Sequence, residues 1–94
     1  MYPDAKEQVR QATDIVGLIG NHLGLRRAGR SYVGHCPWHD DRRASLRINP
    51  AGQTWECPIC EIGGDVFGFV MKHDGCSFQE ALKILAVQAG IQLA

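Results

Sequence analysis

The sequence lacks any apolar stretch long enough to cross a bilayer, and it lacks a targeting pattern at its amino-terminal end. It also lacks internal repeats, low-complexity segments and the composition shifts that mark interdomain linkers. These absences exclude helical membrane proteins and repeat arrays. A chain of 94 residues has room for one domain. The sequence therefore predicts a single domain over residues 1–94, located in the cytoplasm and without a membrane partner.

Residue patterns typical of an active site are also absent. The sequence shows no defensible nucleophile–base pair and no carboxylate cluster. A zinc deaminase needs an H-x-E element beside P-C-x-x-C, and neither element is present. The sequence therefore predicts no catalytic residues in this chain.

What is present is a pair of short metal-binding motifs, Cys36-Pro37-Trp38-His39 and Cys57-Pro58-Ile59-Cys60. Three thiolates and one imidazole at this spacing are typical of tetrahedral zinc. Four protein ligands leave no open position for water or substrate, so the zinc is predicted to be structural. The alternative is a pair of disulfides in a secreted domain, which gives no role to His39 and requires an oxidising compartment.

Neighbouring residues compete weakly for the ligand positions. His35 adjoins Cys36, but His39 completes the usual C-x-x-H spacing and is preferred as the ligand. Cys76 lies among apolar neighbours and is predicted to be a small core residue. Because the core of so short a chain is small, we expect the metal-free form to be partly or largely unfolded.

Hydrophobic periodicity and capping residues predict an α+β fold with a small antiparallel sheet between N- and C-terminal helices. At the N-terminal end, the predicted elements are a helix from Asp4 to about Ala12 and a helix begun by Asp14. Two hairpins follow, formed by residues 25–28 with 31–35 and by residues 45–49 with 53–56. The last two elements are a helix opened by Gly63-Gly64-Asp65 and ended by Asp74-Gly75, and a helix from Ser77 to Gly90.

Charge is distributed unevenly although the net charge is zero. Residues 26–47 contain six arginines and only two acidic side chains, Asp40 and Asp41. Arginine suits forked phosphate contacts and stacking on bases, which favours a nucleic-acid surface. An ordinary solvated face is the alternative. The six arginines are Arg26, Arg27, Arg30, Arg42, Arg43 and Arg47.

Taken together, these motifs resemble the N-terminal zinc-binding domain, a CHC2-type zinc ribbon, of bacterial DnaG-type DNA primases. The resemblance runs almost from end to end of the chain. It is carried by Thr13-Asp14-Ile15-Val16, Arg30-Ser31-Tyr32-Val33-Gly34, the two metal-binding motifs, Ser45, Gly63-Gly64, Phe67-x-Phe69-Val70-Met71 and Ser77-Phe78-x-Glu80-Ala81. The sequence departs from the family at Arg42-Arg43-Ala44-Ser45, where Lys-Thr-Pro-Ser is usual, and at Pro58-Ile59, where an aromatic residue and a glycine are common.

The resemblance implies a zinc-ribbon sheet whose exposed face binds single-stranded template DNA and helps to select where an RNA primer starts. It further implies a partner RNA-polymerase domain, which holds Mg²⁺ in its own acidic site, and an indirect connection to the replicative helicase of the bacterial replisome. This chain shows no such catalytic domain.

Single-stranded nucleic acid is usually held by a basic groove with flat side chains on which bases stack. Asp41 is a further candidate for hydrogen bonds to base edges. Tyr32 and Trp38 either stack on bases or pack over the metal site, and the sequence does not separate the two. The predicted DNA-binding residues are Arg30, Tyr32, His35, Arg42, Arg43, Ser45, Arg47 and Asn49.

Two other functions are compatible with the sequence. One is a zinc ribbon that docks on a polymerase or helicase without touching nucleic acid, and it predicts that charge reversal at Arg43 and Arg47 leaves activity intact. The other is a free-standing primase-like module of a mobile element.

Overall fold

The computed structural model describes residues 4–93, so Met1–Pro3 and Ala94 of the predicted domain lie outside the described residues. Over the described residues, two helices are followed by five strands and then by two more helices. The elements are α1 (Ala5–Ala12), α2 (Ile15–Gly20), β1 (Arg26–Ala28), β2 (Ser31–Gly34), β3 (Leu46–Asn49), β4 (Thr54–Cys57), β5 (Ile62–Gly64), α3 (Val66–Asp74) and α4 (Phe78–Ala89).

The five strands form one antiparallel sheet in the order β1-β2-β3-β4-β5, so every strand pairs with its neighbour in sequence. One row of the register runs across the centre of the sheet: Tyr32 lies opposite Ile48, Ile48 opposite Trp55, and Trp55 opposite Gly64. The α+β fold class, with a small antiparallel sheet flanked by terminal helices, is confirmed.

The two faces of the sheet differ in character because side chains alternate along each strand. Leu46, Ile48 and Trp55 are buried on one face, which faces the core. Arg47 and Glu56 point to the opposite face and are exposed. We call this second, solvent-exposed side the open face.

Helix ends follow the predicted capping residues. The side chains of Asp4, Asp14, Asp65 and Ser77 each accept a hydrogen bond from a backbone N–H in the first turn of the helix that follows. Helices α3 and α4 end at Gly75 and Gly90 in the left-handed conformation that favours glycine.

The helices enclose most of the apolar core. α4 packs on α3 and α1, and α3 also contacts α2 and β5. Phe69, Ile15, Ile19 and Leu85 are fully buried among them. No helix in residues 4–93 is long and apolar enough to span a membrane.

The prediction at residues 63–65 was partly wrong. Gly63 and Gly64 were expected to open a helix, but they belong to the fifth strand, and only Asp65 caps α3. A Cβ atom on Gly63 would lie 2.8 Å from the backbone oxygen of Trp55, so the strands approach too closely there for any side chain. Because glycine has a low strand propensity, the sequence did not indicate that these residues pair with β4.

Candidate metal centre

The four predicted metal ligands meet at one end of the sheet. β2 and β4 are both antiparallel to β3, so they run in the same direction and end at the same edge. Cys36 and His39 follow β2, Cys57 is the last residue of β4, and Cys60 lies in the turn before β5. The two metal-binding motifs therefore lie side by side.

The ligand atoms lie close to the spacing that a tetrahedral zinc site requires. Cys36 Sγ is 3.9 Å from Cys60 Sγ, and His39 Nδ1 is 3.1 Å from Cys60 Sγ and 3.8 Å from Cys57 Sγ. All four ligand atoms lie within 4.8 Å of one another. Zn–S and Zn–N bonds at tetrahedral angles place such atoms about 3.5 to 3.8 Å apart. The cluster is consistent with one structural zinc, and all four cysteines of the chain are free thiols.

The cluster is electrostatically unfavourable for several thiolates at once unless a cation is bound. Burial and the neighbouring thiols raise the pKa of Cys36 to about 12, and burial also raises the pKa of Cys60. At Cys57, burial raises the pKa, but hydrogen bonds from the backbone of Cys60 and from the thiols of Cys36 and Cys60 outweigh it and lower the pKa. A divalent cation would stabilise all three thiolates, so the donor set fits zinc.

The buried side chain of Asp41 binds the backbone at this end of the sheet. Its side chain is only 2 % exposed and accepts four hydrogen bonds. The donors are Cys36 N at 2.8 Å, Ser45 N at 2.6 Å, Arg43 N at 3.0 Å and Ser45 Oγ at 3.0 Å. Burial by itself would raise the pKa of Asp41, but these hydrogen bonds hold it well below its usual range. The Ser45 hydroxyl is thus bound within the protein.

On the sequence alone, Asp41 is a candidate only for hydrogen bonds to base edges. Its role in binding the loop backbone was not predicted. An aspartate two residues after a histidine ligand has no evident function in the sequence, because the hydrogen bonds form only when the loop folds back on it. Ser45 and Asp41 are four residues apart, and the turn that joins them includes Ala44 at a φ of 53°. Such local side-chain-to-backbone bonds are common for Asp in turns.

Other histidines and cysteines lie outside the cluster. Cys76 makes only a weak 3.8 Å contact with a backbone carbonyl of α3. The rings of His22 and His73 are 4.5 Å apart on the helical side of the molecule. His35 is exposed and its Nδ1 lies 2.7 Å from the backbone oxygen of Asp41. None of them belongs to the four-residue metal cluster found within residues 4–93.

Trp38 is half-buried and packs against the core of the domain. Its ring lies 5.1 Å from that of Trp55 and 5.8 Å from that of Phe69, and the ammonium of Lys72 lies 5.4 Å above it. Of the two roles that the sequence left open, the structure places Trp38 in packing beside the metal site.

Tyr32 lies on the core-facing side of the sheet. It pairs with the buried Ile48 and is half-buried against the core, whereas Arg47, one residue before Ile48, lies on the open face. A strand of DNA on the open face would therefore contact Arg47 without reaching Tyr32 across the sheet. DNA contact by Tyr32 stays a prediction.

The remaining predicted residues divide into two groups. Arg47 and Asn49 on β3 and Arg30 at the turn before β2 border a groove of about 790 Å³ on the open face. Arg42 and Arg43 are exposed in the loop beside the metal cluster. Asn49 also accepts hydrogen bonds from the backbone of the turn that follows β3. The other polar residues that line this groove include Ser31, Thr54, Glu56 and Glu61.

Comparison with known proteins gives concordant results. The model of the CHC2 zinc finger family matches residues 1–94. The chain is 41 % identical over 88 residues to the DNA primase of Listeria monocytogenes, covering 94 % of this chain and 14 % of that protein. It is 41 % identical over 88 residues to the DNA primase of Geobacillus stearothermophilus, covering 94 % of this chain and 15 % of that protein. The chain thus spans about a seventh of the length of these relatives.

A solved structure is also similar. The crystal structure of the Aquifex aeolicus primase, which contains zinc-binding and RNA polymerase domains, superimposes with a TM-score of 0.93 at 32 % sequence identity. The similarity covers 99 % of this chain and 23 % of that one.

Proposed function

The chain belongs to the CHC2 zinc finger family, as a zinc-binding domain of the DnaG-type primases, and we propose that it recognises single-stranded template DNA and supports the initiation of RNA primer synthesis. In this proposal residues 1–94 act as one domain. The chain itself supplies binding and orientation, and a polymerase domain with its own Mg²⁺ site supplies the chemistry.

The groove on the open face carries the proposal. Arg47 and Asn49 project from β3 into solvent, and Arg30 stands at the same groove. The groove is shallow and open, so an extended strand can lie along it with its phosphates near the guanidinium groups. A duplex is wider and hides the edges of its bases, which favours single-stranded DNA as the ligand.

Arg42 and Arg43 add two cations toward the metal end, beyond a groove in which two arginines are accompanied by Glu56 and Glu61. The nearest acidic partner of Arg42 is Asp40, 3.9 Å away, and both side chains are almost fully exposed, 88 % and 89 %. An ion pair so exposed is weak and exchanges readily with phosphate. These two arginines are therefore available to a DNA strand that leaves the groove.

Zinc has a structural role in this proposal. Cys36, His39, Cys57 and Cys60 would hold it, and it would fix the ends of β2 and β4 relative to each other. The alignment of β2 and β4, and with it the arrangement of side chains on the open face, would depend on this end of the sheet. In the bacterial replisome the domain would act beside an RNA-polymerase domain and connect through it to the replicative helicase.

The proposal is tested by titrating the zinc-loaded, ¹⁵N-labelled domain with a short single strand and with a duplex of the same sequence, at low and moderate salt. We expect the single strand to shift amides of β3 and of residues 30–31 and 42–45 more than the duplex does, and raised salt to weaken both. Arg47→Ala should weaken the single-strand response. Lys83→Ala, which removes an exposed cation from α4, is the matched control.

Equal losses in both variants would refute the groove as the binding site, and unmoved amides at millimolar DNA would refute direct template binding. In that case the second candidate function gains support, because Ile59 at the tip of the second motif is 65 % exposed and suits contact with a protein partner. That function predicts that charge reversal at Arg43 and Arg47 leaves primer synthesis intact while Ile59→Ser reduces it.

A further inference from the structure

The imidazole of His39 lies between the metal cluster and Asp41. Its Nδ1 faces Cys57 and Cys60, while Nε2 lies 3.6 Å from Asp41 Oδ1. When Nδ1 binds a cation, Nε2 carries the proton, and the carboxylate is the negative group that this N–H faces. A carboxylate that accepts the second N–H of a histidine ligand fixes the orientation of the ring and strengthens it as a donor. Asp41 lies at ion-pair distance from this N–H, just beyond hydrogen-bond range.

The same carboxylate closes the loop that joins the first metal-binding motif to β3. Oδ2 accepts hydrogen bonds from Cys36 N at the start of this loop and from Ser45 N at its end. Between them Ala44 adopts a φ of 53°, which residues other than glycine adopt rarely. The loop therefore keeps this conformation because both of its ends are bound to one side chain.

Arg42 and Arg43 lie inside that closed loop. The backbone N–H of Arg43 donates to Asp41 Oδ1 at 3.0 Å, while both arginine side chains extend into solvent. The backbone that presents these two cations is thus attached to the same carboxylate that faces the ligand His39. We call residues 40–45 the arginine loop.

We propose that Asp41 is a positioning residue that couples the metal centre to the DNA surface: it orients His39 for zinc and simultaneously holds the arginine loop in the conformation that presents Arg42 and Arg43. This inference rests on the proposed function, since zinc and single-stranded DNA are the two ligands that it connects. It predicts that one substitution weakens both.

The test compares Asp41→Asn with Asp40→Asn. Each variant removes one negative charge from the arginine loop, but Asp40 is 89 % exposed and receives no hydrogen bond from the loop backbone among the bonds described for residues 4–93. Asparagine at position 41 keeps only one accepting oxygen and turns an amide group toward N–H donors. The full 94-residue chain is used, because the isolated loop has no fold of its own.

The metal readouts are zinc affinity, by competition with a chelator, and the visible spectrum of the Co²⁺-substituted domain. We expect Asp41→Asn to lower zinc affinity about 10- to 100-fold, the range found for groups behind metal ligands, and to shift the Co²⁺ ligand-field bands at saturating metal. A purely structural role for Asp41 would lower stability without moving these bands. Affinity and bands equal to those of Asp40→Asn would overturn the positioning role.

The DNA readout is single-strand affinity at saturating zinc. We expect Asp41→Asn to bind more weakly than the parent domain, whereas Asp40→Asn binds equally well or more tightly because it loses a repelling charge. Loss of zinc affinity with unchanged DNA affinity would overturn the coupling. A parent domain that binds zinc but no DNA would refute the proposed function together with the coupling, while the zinc comparison still decides the positioning role.

If Asp41→Asn does not fold, Ser45→Ala provides the second comparison. It removes only the 3.0 Å hydrogen bond from Ser45 Oγ to Asp41 and leaves the backbone bond in place. We expect a smaller loss of zinc affinity, about 3-fold, below the range for the whole carboxylate. A zinc affinity unchanged from the parent would count against Asp41 as the positioning group.

Discussion

The metal end of the sheet and the helical half of the domain are ordered by different forces. At the metal end, four ligand atoms within 4.8 Å and the hydrogen bonds to Asp41 hold the chain in addition to the burial of Leu46. In the helical half, Val9, Ile15 and Leu85 are fully buried and each helix begins at a side-chain cap. The first region depends on a cation, and the second depends on excluding water.

The two regions meet in a cluster of three aromatic rings. Trp38 comes from the first metal-binding motif, Trp55 from β4 and Phe69 from α3, with ring centroids 5.1 to 6.1 Å apart. The proposed DNA surface spans both ends of the sheet: Arg42 and Arg43 lie beside the metal cluster, whereas Arg30 and Asn49 lie at the opposite end. Substitutions can therefore be chosen that affect one region, the other, or the contact between them.

Removing the metal should have the largest effect. Structural zinc is worth about 10 to 16 kcal/mol in zinc-finger peptides, which is comparable to the stability of a whole domain. We expect a chelator, or Cys57→Ser, to collapse the dispersion of amide signals from β3 to β5 while part of the helical circular dichroism survives. Cys76→Ser, outside the cluster, should leave both signals intact. Unchanged spectra after verified zinc removal would contradict the comparison.

Removing an aromatic ring from the contact between the two regions should have the second-largest effect on stability. Phe69 is fully buried, so Phe69→Ala should lower the free energy of unfolding by about 3 to 5 kcal/mol. Thermal unfolding of the zinc-loaded domain measures this loss. Val87→Ala, at a site 80 % exposed, should stay within about 0.5 kcal/mol of the parent. Equal melting temperatures for the two variants would show that Phe69 does not join the two regions.

A change confined to the helical half should be smaller. Asp65 caps α3 and accepts a hydrogen bond from Arg10 at 2.8 Å, in a contact that is about one third exposed. Asp65→Ala should cost about 2 kcal/mol, with about half coming from the cap. Asp65→Asn keeps the capping oxygen and should cost less, while zinc affinity stays unchanged in both. A large loss of zinc affinity in either variant would show that the regions are not separable.

The smallest effect is expected for a charge on the open face. Glu56 pairs with Arg47 in the sheet register and lines the same groove. Glu56→Gln should change the free energy of unfolding by less than about 0.5 kcal/mol. It should nevertheless raise single-strand affinity about 2- to 5-fold at low salt, since one charge near a phosphate in water contributes on this scale. Glu80→Gln on α4 is the control, and equal affinities would place the DNA away from this groove.

Much of this organisation could be predicted from the sequence because its signals are local. The capping residues Asp4, Asp14 and Ser77 gave three helix starts, and the alternation of Leu46 to Asn49 gave the orientation of β3. The metal cluster was predictable because the C-x-x-H and C-x-x-C spacings specify a ligand set without any knowledge of the fold.

Features that depend on distant contacts were not predictable. β5 contains two glycines, and its pairing follows from the close approach to β4 rather than from its own residues. The orientation of Tyr32 could not be predicted, because Ser31, Tyr32 and Val33 of β2 are similarly exposed and show no alternation between the two faces. Asp41 looked like an exposed charge among arginines, and its burial follows from the closure of the loop.

The sheet has two edges, β1 and β5, and they are protected in different ways. An unpaired strand edge is a template on which a second chain can add, and charged side chains there oppose such addition. β1 is exposed along its whole length and carries Arg26 and Arg27, while β5 runs directly into the cap of α3. Neutralising the two arginines of β1 is therefore expected to favour edge-to-edge association of the sheet, whether or not nucleic acid is present.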